Sequence, residues 1–144
     1  MSLRRRPVGR GRMLAVLGAG VIVVGCVLPW FRAGSPELEL PPIVGNAFNG
    51  ASILVFLIAL ATPALVTLPY ASERPISVDR WWAFAALAVI GWVGLALRVA
   101  DIVINSGGFA TVTPDRGPGL WITVVGLIML SRGAWQISRE PQYY

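Results

Sequence analysis

The sequence predicts an all-α membrane protein: a bundle of four transmembrane helices in a single membrane domain over residues 1–144. Two features of composition indicate this. Hydrophobic residues make up 56% of the chain and charged residues 13%, whereas about 25% of the residues in an average soluble protein are charged. Four apolar stretches are also long enough to cross about 30 Å of hydrocarbon at 1.5 Å per residue.

The first predicted helix, residues 13–30, sets the orientation of the others. It contains no charged residue, and it follows a basic arm over residues 1–12. A basic arm before an uncharged apolar run is typical of a helix whose N terminus stays in the cytoplasm. The arginines of the arm are Arg4, Arg5, Arg6, Arg10 and Arg12.

The same stretch has a second interpretation as a cleaved signal peptide. Residues 23–26 resemble the box at which a lipoprotein signal is cut, with Cys26 as the residue that would be lipidated. Residues 27–30 continue the apolar run, however, whereas a processed lipoprotein normally turns polar after its cysteine. We therefore expect an uncleaved helix in which Pro29 ends the helix and Trp30 anchors it at the interface.

Three further helices are expected over residues 51–70, 81–104 and 117–135, with a polar tail over residues 136–144. Pro63 lies inside the second helix and should kink it, because proline removes one backbone hydrogen bond. Tryptophans flank the apolar segments, where amphipathic rings favour the headgroup region. The interface anchors are expected to be Trp30, Trp81, Trp82, Trp121 and Trp135.

The outer loops are predicted over residues 31–50 and 105–116. Glu37 to Leu40 alternates between charged and apolar residues, which is typical of a short extended segment. A second extended segment is expected from Phe109 to Thr113. Pairing of these two segments would form a small external cap.

The arginines test this topology. Nine fall on the predicted cytoplasmic side, and Arg32, Arg98 and Arg116 fall on the other. The positive-inside rule then places both termini in the cytoplasm. All basic residues are arginine, a bias associated with GC-rich bacterial genomes, so the expected location is the bacterial plasma (inner) membrane.

Regularly spaced glycines predict close helix packing. Lipid provides no hydrophobic drive between helices, so close contact depends on small residues, and a spacing of seven keeps them on one face. We expect the first and fourth helices to pack against each other or against a partner, unless the glycines merely reflect their frequency in membrane helices. They are Gly18 and Gly25 in the first helix, and Gly119, Gly126 and Gly133 in the fourth.

One polar group stands out in the third helix. Leu87, Gly91, Gly94, Arg98 and Asp101 are separated by four, three, four and three positions and so share one helical face. Gly91 and Gly94 on this face are expected to pack against another helix. Asp101 could neutralise Arg98 across one turn. The pair is either a snorkelling interfacial pair that fixes helix depth or a polar outer mouth that binds a ligand or docks a partner's loop.

The composition excludes several functions. The chain has no histidine and a single cysteine, Cys26, and no carboxylate lies in the middle of an apolar run. We therefore expect no catalytic residues, no metal site, no cofactor and no mid-membrane carboxylate for proton coupling. The arginines flank apolar segments, which favours anionic lipids of the bilayer as their partners rather than nucleic acid.

Two functions remain. The first is a non-catalytic integral membrane subunit, an accessory or assembly component that binds other membrane subunits or a second copy of itself. The alternative is a small homo-oligomeric transporter or channel with its mouth at Arg98 and Asp101.

Two short motifs carry a resemblance in layout. Leu28-Pro29-Trp30 closes the first helix, and the run from Arg116 to Trp121 (RGPGLW) opens the last. With these motifs, the chain resembles small uncharacterised four-helix bacterial integral membrane proteins over most of its length. The resemblance implies the same topology and no particular activity.

Overall fold

The computed structural model describes residues 9–33, 43–48, 50–71, 81–105 and 108–140. It is mostly helical, and its four long helices are each long and apolar enough to cross a membrane. The prediction of four such helices is therefore confirmed. They are α1 (Arg10–Val27), α2 (Ile53–Ala71), α3 (Trp81–Asn105) and α4 (Pro118–Arg139).

The boundaries of helices α1 and α4 differ most from those expected. Helix α1 begins at Arg10, inside the basic arm, and ends at Val27 because Leu28 is extended, with ψ 156°. A proline at the next position disfavours the helical conformation of Leu28. Helix α4 continues to Arg139 through residues expected to form the tail, and a basic residue in its last turn suits the helix dipole.

Helices α1 and α4 run antiparallel and touch along their whole lengths, more extensively than any other pair. A Cβ atom added at Gly18 would lie 2.8 Å from the carbonyl oxygen of Gly126, and one at Gly25 would lie 2.8 Å from that of Gly119. The two backbones therefore approach so closely that neither contact leaves space for a side chain.

Helices α2 and α3 complete the bundle through contacts of a different kind. A Cβ atom at Gly91 of α3 would meet the end of the Leu127 side chain at 2.6 Å and that of Ile58 at 3.2 Å. The core between the helices is apolar and packed with large side chains. Its fully buried members include Ile22, Val55, Phe84, Ile102, Leu127 and Leu130.

The described parts of the connections after α1 and after α3 meet at one end of the bundle, called here the cap end. Strands β1 (Phe31–Ala33) and β2 (Ile43–Gly45) pair antiparallel, and β1 also contacts residues Phe109–Val112. The opposite end, where α1 begins and α4 finishes, is called the terminal end. A small cap therefore exists, although it is built differently from the predicted one.

The extended segment predicted from Phe109 to Thr113 is wrong. Residues Phe109–Val112 form a 3₁₀ turn, in which both the amide and the hydroxyl of Thr111 donate to the carbonyl oxygen of Gly108. This local side-chain bond competes with strand pairing. The proposed pairing partner, Glu37 to Leu40, lies outside the described residues.

Candidate functional site

The polar pair predicted on α3 forms an ion pair at the cap end. Arg98 Nη1 donates to Asp101 Oδ2 at 2.6 Å. The amide of Asn105, one turn further along, donates to the other carboxylate oxygen of Asp101 at 2.7 Å. Positions three and four apart on a helix face each other, so the last turns of α3 place these three side chains in one row.

The two members of the pair differ in burial. Arg98 is 8% exposed, whereas the side chain of Asp101 is 53% exposed. The Arg98 guanidinium lies 5.8 Å from the ring centre of Phe31 on β1. A snorkelling arginine keeps its head group in water, so an enclosed guanidinium is a different arrangement.

The chain that encloses Arg98 needs a glycine. Gly50 has φ +80°, a conformation that favours glycine, and an added Cβ would lie 3.3 Å from Arg98 Nη1. Arg98 Nε is also buried, and it finds no hydrogen-bond partner within the described chain. The pair therefore links α3 to the first loop and presents one accessible carboxylate, Asp101, at the surface.

The predicted packing glycines lie at helix contacts. An atom within 3.4 Å would obstruct an added Cβ at each position, and in the α1–α4 contact that atom belongs to backbone or to a core side chain. These residues are Gly18, Gly25, Gly91, Gly94, Gly119, Gly126 and Gly133.

Trp30 is not an interface anchor, because its side chain is fully buried. Its indole nitrogen donates to the carbonyl oxygen of Gly25 at 3.0 Å. In a continuing helix that oxygen would accept from the residue four positions later, but that residue is Pro29, which has no N–H. Trp30 therefore supplies the hydrogen bond that proline cannot make and caps the C-terminal end of α1.

The other four predicted anchors are each about half exposed, as a ring at a membrane interface would be. Trp121 also has a partner inside the chain, because its indole nitrogen donates to the carbonyl oxygen of Val112 at 2.8 Å. This bond ties α4 to the 3₁₀ turn of the cap. The remaining three are Trp81, Trp82 and Trp135.

Two links between helices were missed from the sequence. Trp92 Nε1 donates to Ser131 Oγ at 2.9 Å and so joins α3 to α4. At the terminal end, Arg12 pairs with Glu140 at 3.1 Å and joins the start of α1 to the residue after α4. Both pairs are far apart in sequence, so no local spacing signals them.

No known protein family, curated protein or solved structure matches this chain. The chemistry open to the chain therefore follows from its own side chains. Within the described ranges, no group of three His, Cys, Asp or Glu residues could hold a metal ion. The arrangement at the cap end can hold a loop in place and offer a carboxylate to a neighbour.

Proposed function

We propose that the chain is a non-catalytic integral membrane subunit, an accessory or assembly component of a larger complex in the bacterial plasma membrane. Its four apolar helices would cross the bilayer with both termini in the cytoplasm. Support comes from the length and hydropathy of the helices and from the arginines gathered at the predicted inner ends.

Retention of α1 fits its packing. Lipoprotein processing before Cys26 would remove residues 1–25 and with them Gly18 and Gly25, which form the contact with α4. Such a cut would leave the glycine face of α4 without its neighbour. The proposed subunit therefore retains α1 uncleaved.

The interior supports a structural role over conduction. Thr62 and Thr123 are fully buried, and each hydroxyl donates at 2.8 Å to a carbonyl oxygen one turn earlier in its own helix. Ser131 does the same. Hydroxyls used in this way leave the described core without a row of free polar groups to carry an ion.

The observation that carries the subunit proposal is the position of Gly20. It lies on the exposed face of α1, and an added Cβ would meet nothing within 4 Å. Every other glycine in the four described helices packs against a neighbour within the chain. A small residue on an exposed membrane face allows a second helix to approach closely, so Gly20 marks the face on which a partner subunit would pack.

The test compares two leucine variants on exposed helix faces. Gly20→Leu should fold normally yet lose the membrane proteins that co-purify with the wild type from gently solubilised native membranes. The control is Ala96→Leu, which enlarges an exposed small residue of α3 and should keep those partners. A wild type that purifies alone, or a Gly20→Leu variant that keeps its partners, would contradict the proposal.

The alternative is a small homo-oligomeric transporter or channel, favoured by the exposed Asp101 carboxylate beside a buried arginine. Purified protein in liposomes would then carry ions or cationic dyes, and Arg98→Leu would abolish the flux. Absence of flux together with partner co-purification supports the subunit. Flux that depends on Arg98 would instead support the transporter and contradict the subunit proposal.

The orientation has its own test. In a Cys26→Ala background, a cysteine introduced at Ser77, between the second and third helices, should react with a membrane-impermeant thiol reagent only from the cytoplasmic side. Reaction from the outside would reverse the proposed topology.

A further inference from the structure

One face of α4 combines an apolar row with two arginines. The exposed residues Trp121, Val125 and Ile128 are followed on the same face by Arg132, Trp135 and Arg139, at alternating intervals of four and three. The row therefore changes from apolar to basic as it nears the terminal end. A bilayer changes from acyl chain to headgroup in the same direction.

Arg132 lies well inside the helix. It precedes Arg139, in the last turn, by about 10 Å at 1.5 Å per residue, and its side chain is exposed next to Ile128. Under the proposed membrane placement, on which this inference rests, an exposed guanidinium at that depth requires an anion or must reach towards the headgroups. Within the described residues, no carboxylate pairs with Arg132.

The second arginine is held by an aromatic ring. The Arg139 guanidinium lies 4.8 Å from the ring centre of Trp135, a cation–π contact that restricts its position. The neighbouring carboxylate of Glu140 is bonded to Arg12 of α1. The described face of α4 therefore keeps two positive charges, one above and one below Trp135.

We propose that this face, formed by Arg132, Trp135 and Arg139, binds the headgroup of an anionic phospholipid. The argument is complementarity of both charge and polarity. Guanidinium groups bind phosphate oxygens through paired N–H donors, and tryptophan favours the headgroup region. The exposed Val125 and Ile128 continue the same face and contact the acyl chains.

Native mass spectrometry of the purified protein in a neutral detergent, with equal amounts of phosphatidylglycerol and phosphatidylcholine added, tests the proposal. The wild type should retain phosphatidylglycerol in preference. Arg132→Gln and Arg139→Gln should each weaken that preference about fivefold. This is the loss expected when one arginine's attraction to an anionic headgroup is removed. Arg132→Lys should keep most of it, because the charge remains.

Arg116→Gln is the matched control. It removes the same charge from an exposed residue at the cap end, beside Asp115, and should leave lipid retention unchanged. Equal retention of the two lipids by the wild type, or an equal loss in Arg116→Gln, would overturn the proposal. Displacement of phosphatidylglycerol by millimolar inorganic phosphate would also overturn it, by indicating a site for a soluble anion. If Arg132→Gln fails to fold, Arg139→Gln in the last turn tests the same face.

Discussion

The two halves of the bundle are held together differently. Between α1 and α4, the two backbones are in contact. A Cβ atom added at Gly18 would lie only 2.8 Å from the carbonyl oxygen of Gly126. At Gly91 of α3, an added Cβ would meet the ends of two side chains instead, those of Leu127 and Ile58. In the apolar 18-residue stretches of α1 and α4, 39% and 44% of the residues are buried, whereas 33% are buried in the corresponding stretches of both α2 and α3.

This difference shows which contacts can adapt. A side-chain end can rotate away from an added atom, whereas a helix backbone can move only if the whole helix shifts. The α1–α4 contact should therefore tolerate almost no added volume. The contact at Gly91 should accommodate small changes at modest cost.

The largest expected effect comes from Gly18→Leu. The added side chain would meet the backbone of α4 and should destabilise the fold by at least about 3 kcal/mol, above the usual range for overpacking. Unfolding in detergent with increasing SDS, followed by circular dichroism, measures the change. Gly20→Leu, two positions away and with open space around its Cβ position, should unfold like the wild type. Equal losses of stability in both variants would contradict the close backbone contact at Gly18.

The ion pair on α3 provides a second test. Asp101→Leu removes the exposed partner and leaves the nine-tenths buried Arg98 without a counter-charge, at a cost of about 2 kcal/mol. Arg98→Leu removes the buried charge itself and should cost less than about 1 kcal/mol, because the remaining carboxylate is half exposed. The same SDS titration ranks the two variants, and the reverse order would contradict the burial argument.

A pair of alanine variants then compares the two kinds of contact directly. Gly91→Ala should cost about 1 kcal/mol or less, because the end of Leu127 can move. Gly18→Ala places the same methyl group against the backbone of α4 and should cost about 2–3 kcal/mol. Equal free energies of unfolding for the two variants would show that backbone and side-chain contacts accommodate an added methyl group equally well.

The smallest effect tests the hydrogen bond between α3 and α4. Ser131→Ala removes the acceptor of the Trp92 indole and should cost about 0.6 kcal/mol, the average for such bonds in a membrane protein. The control is Ser138→Ala, whose hydroxyl donates only within α4, to Trp135. A cost above that of Gly91→Ala would mean that this bond, rather than packing, holds α3 in place.

The sequence predicted the four helices because length and lack of charge are local properties. It also predicted that Gly18 and Gly126 lie on packing faces, but it left open what they pack against, since a spacing of seven is the same for any partner. Burial of Arg98 could not be foreseen for a similar reason. The residues that cover it, Phe31 and Gly50, come from a distant part of the chain.

The Trp30 error is instructive because a signal was present. A tryptophan after an apolar run usually marks an interface, and nothing in its local composition distinguishes a buried ring. The absent N–H of Pro29 leaves the carbonyl oxygen of Gly25 without its helical donor, and an indole one residue further on can reach it. At Thr111, by contrast, the sequence suggested an extended segment, and a local hydroxyl bond decided otherwise.

The antiparallel contact of α1 with α4 also determines when the fold can be completed. The first helix leaves the ribosome about 100 residues before the last, which corresponds to roughly 5–20 s at 5–20 residues per second. Under the proposed membrane placement, the glycine face of α1 has lipid or another protein as its neighbour during that interval. A nascent chain stopped before α4 would therefore expose a face that membrane quality-control factors could recognise as unfinished.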